Sequence, residues 1–111
     1  MRHRAIAKVI IEPSGALLVC PQAETPVGYE YIYREANGLR WDREKRALFA
    51  YEPSRWKHEE LLQHIATTLR HRCDEELYFA DQTEWVGVSP ALQSALRSAL
   101  AQGSRFRERD A

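Results

Sequence analysis

The chain has little of what special sites are built from. Among 111 residues there are two cysteines, five glycines, five prolines and one methionine. Two cysteines so far apart in sequence, Cys20 and Cys73, are not a disulfide framework. They read as free thiols of a reducing compartment, with no Cys-x-x-Cys pair and no obvious activating partner in sequence for either one. The glycines stand singly at 15, 28, 38, 87 and 103, no two closer than ten residues, which excludes a glycine-rich phosphate loop. There is no Gly-x-Ser-x-Gly nucleophile elbow. Net charge is also missing: 16 basic residues balance 16 acidic ones. A general basic field that would hold DNA, RNA or an anionic membrane is thereby excluded. No apolar run approaches the roughly 18 residues of a membrane span. The stretch from Met1 to Ile11 is basic and then apolar, but Lys8 and Glu12 cut it too short for a signal peptide. A cytoplasmic protein without a membrane segment is expected.

What is present is a foldable mixture. Apolar residues make up 44% of the chain, and three Trp, five Tyr and three Phe argue against disorder. The length suits one domain with a real core. Ile6 to Ile11 is rich in β-branched residues, Pro13-Ser14-Gly15 is a turn signal, and Ala16 to Cys20 returns as a second strand. A three-stranded meander should follow. Its strands are Tyr29 to Ala36, Leu39 to Asp42 and Ala47 to Glu52, joined by the hairpin signal Asn37-Gly38 and the charged loop 43–46. Ser54 is a candidate N-cap for a helix to about Cys73. On it, Leu61, Leu62, Ile65, Ala66, Leu69 and Cys73 fall within an arc of roughly 140°. Glu76 to Ala80 reads as a further strand and Trp85 to Val88 as an extended segment. Ser89-Pro90 opens a last helix faced by Leu92, Leu96, Leu100 and alanines 91, 95 and 99. Gly103 should stop it.

These elements sum to an α+β domain. A mostly antiparallel sheet of five to six strands, a hairpin plus a meander, carries two helices on one face. Residues 1–103 form the single globular domain, and 104–111 a charged, flexible tail. The opening hairpin, AKVIIEPSGALLVCP, resembles the start of a Nudix hydrolase. The glutamate-rich metal-binding helix of that family does not follow it, so the resemblance implies no activity, metal or cofactor here.

Histidines are the first candidates for chemistry. His64 and His71 share a helix face but stand about 10.5 Å apart along the axis, too far for one ion. His71 and Cys73 diverge by about 200° around the helix. No metal site is expected, and both histidines read as surface residues. His58 lies near the middle of the apolar arc in the first helical turn. It either closes the end of the core or serves as a general acid or base in a cleft between helix and sheet. The helix N-terminus there favours the neutral base.

The meander carries the richest pattern. With a four-residue loop at 43–46, Asp42 faces Ala47, Trp41 faces Leu48, and Arg40 faces Phe49. Alternation then writes two faces. One holds Ile32, Arg34, Ala36, Leu39, Trp41, Leu48 and Ala50, and suits packing against helices. The other holds Tyr29, Tyr31, Tyr33, Glu35, Arg40, Asp42, Phe49 and Tyr51. This aromatic stripe can be core, a homodimer interface or a ligand surface. Glu35 and Asp42 deny a phosphate backbone a clear track, so nucleic acid ranks last. Charge is uneven along the chain. Residues 74–90 carry Asp74, Glu75, Glu76, Asp81 and Glu84 and no base, while the end carries Arg97, Arg105, Arg107 and Arg109. Either both are solvated, or the tail docks on the acidic segment of the same or a neighbouring subunit.

The expected function is a small, non-catalytic binding or accessory protein. It would be homodimeric and would recognise a small molecule or protein partner through Tyr29, Tyr31, Tyr33, Arg40, Phe49 and Tyr51. A small enzyme using His58 is the alternative, and a weak nucleic-acid binder comes third.

Overall fold

The computed structural model describes residues 2–22, Tyr29, Ile32 and 38–110, with side chains excepted from 103 onward. The first hairpin forms as its sequence requires. Strands β1 (Arg2–Ile11) and β2 (Leu17–Pro21) pair antiparallel with Ile11 opposite Leu17. Gly15, at φ 92°, closes the turn by donating its N–H to the Glu12 carbonyl. Strands β3 (Leu39–Asp42) and β4 (Ala47–Ala50) pair in the expected register, Arg40 on Phe49 and Trp41 on Leu48. Asp42 makes the loop: its carboxylate accepts the N–H groups of Glu44 and Lys45 at 2.9 and 3.0 Å. Tyr29 and Ile32 depart from the expected strand. Both adopt 3-10 geometry and both are buried in the core; the remainder of 29–36 lies outside the described residues.

Helix α1 (His58–Cys73) starts three residues later than the Ser54 cap implied, its N-cap being Lys57. Pro53 instead opens a separate 3-10 turn, Pro53–Arg55, and Trp56 and Lys57 run extended before the helix begins. The apolar arc is otherwise as read. Leu61, Leu62, Ile65 and Leu69 are buried, each worth about 1.5–3 kcal/mol over exposure. His64 is not simply solvated, since its ring stacks on Trp56 at 4.7 Å.

The second half corrects the sheet. Residues 75–86 form one strand, β5 (Glu75–Val86), and it lies parallel to β1. Among the described residues the sheet is therefore five-stranded and mixed, in the order β3-β4-β2-β1-β5. Between Phe79, opposite Ile6, and Glu84, opposite Lys8, β5 bulges. Thr83 pins the bulge by donating its hydroxyl to the Ile6 carbonyl at 2.6 Å and accepting the Ala80 N–H at 2.9 Å. Gly87 then turns the chain at φ 71°, where a Cβ would lie 2.5 Å from the Ile11 carbonyl oxygen. Helix α2 (Pro90–Asp110) is capped by Ser89, whose Oγ accepts the Leu92 N–H. It does not stop at Gly103. One internal glycine costs a helix only about 1 kcal/mol, and the residues around it are ordinary helix formers. Both helices cover one face of the sheet, with Leu96 and Leu100 in the same core as Ile6, Val9, Leu17, Val19 and Leu48.

Candidate functional site

Two places concentrate polar and aromatic chemistry. The first is at the end of the sheet where β1 and β5 begin. Asp74 leaves α1 in the left-handed conformation, φ 53°, and its carbonyl accepts the Arg2 N–H. That turn sends Glu75 inward, where it is only 1% exposed. A buried carboxylate must be paired. Arg4 donates to it at 2.8 Å, the Tyr29 hydroxyl donates to its other oxygen, and Arg2 stands 3.8 Å away. Arg4 also donates to the Gln22 carbonyl, and Arg2 to that of Cys73. Burial, then the bond to Glu75, pushes the Tyr29 phenol well above its ordinary range. Its ring meets Trp41 edge-on at 5.1 Å. Tyr29 is thus a core residue, tied to the helix side of the sheet rather than to the aromatic stripe.

The second place is the helix-free face. Registers align one row of side chains across all five strands. Val86 lies beside Ile10, Ile10 beside Leu18, Leu18 beside Phe49 through the Val19–Leu48 pairing, and Phe49 beside Arg40. The middle of the row is already shielded: Leu18 and Cys20 are 3% and 8% exposed and form a small second core with Ala47. Its β3–β4 end is open. Tyr51 is 63% exposed, the Arg40 guanidinium lies over its ring at 4.7 Å, and Phe49 is half-buried beside them. Three of the residues expected at a contact surface, Arg40, Phe49 and Tyr51, therefore come together. Tyr31 and Tyr33 lie outside the described residues.

His58 sits half-buried at the start of α1, with Nε2 2.8 Å from the Gly15 carbonyl oxygen. This bond ties the helix to the β1–β2 turn and makes Nε2 the protonated nitrogen. Burial raises the thiols of both Cys20 and Cys73, which disfavours a reactive thiolate. Among the described residues no three His, Cys, Asp or Glu side chains gather to hold a metal ion, and no helix is long and apolar enough to cross a membrane. Three of the five acids of the acidic segment are paired from within the domain. Glu75 pairs with Arg4, Glu76 with Arg70 through two bonds of 2.5 and 2.6 Å, and Glu84 approaches Lys8 at 3.9 Å.

Sequence reasoning missed Glu75 as an organising residue. It stood in a run of acids, and the only local signal against solvation was its inward phase with Leu77 on the strand.

No family model and no curated protein sequence matches the chain. It is similar to a solved structure of an integron cassette protein, Hfx_Cass5, from the mobile metagenome of the North West Arm sewage outfall. The two share 29% identity over 91% of this chain and 98% of that one, at a TM-score of 0.42.

Proposed function

We propose that the protein is a small homodimeric binding domain without catalytic machinery of its own, which recognises a small-molecule or protein partner through Arg40, Phe49 and Tyr51. The observation that carries this reading is the open end of the helix-free face. There an exposed tyrosine ring is held under a guanidinium beside a half-buried phenylalanine. Tyrosine and arginine are the side chains that most often anchor interfaces, since each offers a flat apolar surface and a polar edge at low entropic cost. The Arg40–Tyr51 stack orders both groups before a partner arrives, which lowers the cost of binding. His58 has a structural partner in Gly15, and that favours the binding reading over the His58 enzyme.

The reading is tested by screening small aromatic and carboxylate fragments against the ¹⁵N-labelled protein. Shift changes should cluster on Arg40, Phe49 and Tyr51 and vanish in Tyr51→Ser. Changes clustering around His58 and Gly15 instead would overturn it in favour of the enzyme.

A further inference from the structure

We infer that the second copy of the chain joins at the free edge of β5, by a two-fold antiparallel pairing centred on Tyr78. This deepens the homodimer part of the reading above and rests on it.

The argument begins with which backbone groups point outward. The Arg2 N–H bonds to the Asp74 carbonyl, and Arg2 is the register partner of Glu75. In a parallel ladder that geometry directs residues 74, 76 and 78 toward β1, and so 75, 77 and 79 away from it. Among the described residues no strand lies on that outer side, because β5 is the last strand in the order. The edge thus offers the N–H and C=O groups of Leu77 and Phe79 to an extended partner. Its side chains agree. Among the described residues the exposed large apolar ones are Tyr51, Tyr78 and Val86, and two of these three belong to β5.

Parity then restricts how two copies can meet. Only outward-pointing residues can exchange hydrogen bonds, and pairing Leu77 with Glu75 would set Glu76 against Glu76, so Leu77 faces either Leu77 or Phe79 of the second copy. The second register is the better one. On the helix side it sets Leu77 against Phe79, apolar on apolar, twice. On the open face it sets Tyr78, 45% exposed, against Tyr78 at the two-fold axis. Glu76, already held by Arg70, meets Ala80 rather than another acid. The alternative register would place Glu75 against Phe79 and Glu76 against Tyr78. The bulge at 80–83 ends the flat stretch, so the joint is limited to about four backbone hydrogen bonds. Such a short, bulge-terminated edge closes as a pair and does not propagate into a fibre. It also leaves Arg40, Phe49 and Tyr51, on the opposite sheet edge, open to a partner.

Light scattering across a concentration series, combined with two variants, decides the matter. The native chain should have twice the monomer mass. Tyr78→Lys opposes two lysines at the axis and should raise the dimer dissociation constant at least about tenfold while leaving the thermal transition of the monomer in place. Tyr78→Cys should give a disulfide-linked dimer under mild oxidation, because non-hydrogen-bonded cross-strand pairs bring Cα atoms to about 4.5 Å. Gln82→Cys, in the bulge, should give no more cross-link than the native chain. A monomeric native chain overturns the edge pairing and the homodimer while leaving the fragment-binding surface standing. A dimer that survives Tyr78→Lys but is broken by Tyr51→Ser overturns the edge alone.

Discussion

The molecule uses arginine and tyrosine together twice, with opposite outcomes. At the β1–β5 end, Tyr29 and Arg4 converge on Glu75, and the cluster is sealed in the core. At the β3–β4 end, half-buried Arg40 lies on the face of Tyr51, whose ring is largely exposed. The first cluster is organised by a buried carboxylate. A buried Glu75 needs a cation and a hydroxyl donor, so it draws both groups inward and commits them to stability. Arg40 and Tyr51 instead meet at the surface of the helix-free face. Their contact is ring to guanidinium, which water tolerates, and it leaves the Tyr51 ring largely exposed.

That contrast can be broken most strongly at Glu75. Glu75→Ala strands Arg4, and removing one partner of a buried pair should cost about 3–5 kcal/mol in chemical denaturation. A loss below about 1 kcal/mol would mean that the cluster is solvated and the contrast false.

Tyr29→Phe is the next largest effect. It removes a hydrogen bond to a charged acceptor and should cost about 1.5–3 kcal/mol. It also carries a pH signature. The folded state holds the Tyr29 proton to higher pH than the unfolded chain, whose phenol titrates near about 10. The folded state therefore binds more protons, and stability contributed by this group is complete below about pH 10 and lost as pH rises above it. The native chain should lose stability between about pH 9 and 11 more steeply than Tyr29→Phe. Parallel slopes would show that the phenol is neither buried nor held by Glu75.

Smallest of all should be Tyr51→Ser, within about 0.5 kcal/mol of the native stability because the ring is largely in water. A cost as large as that of Tyr29→Phe would make the second place a part of the core and remove its claim to be a contact surface.

How much of this was legible beforehand differs between the same two regions. The β3–β4 register follows from a four-residue loop and strict alternation. Arg40, Phe49 and Tyr51 were placed on one face by counting alone, and the structure keeps them there. Tyr29 was assigned to that face by the same count and does not belong to it. Alternation holds only while the chain is extended, and Tyr29 is in a 3-10 turn. Its placement answers to Glu75, which is 46 residues away.

The local patterns by themselves determined the two hairpins, the apolar arc of α1 and the Ser89–Pro90 start of α2, because turns, alternation and caps act over a few residues. Tertiary structure alone decided that β5 lies parallel to β1, that Glu75 is buried with Arg4 and Tyr29, and that α2 runs through Gly103. A parallel pair here joins residues about 70 positions apart and leaves no turn signature between them. The inward turn of Glu75 depends on a cation that only that pairing supplies.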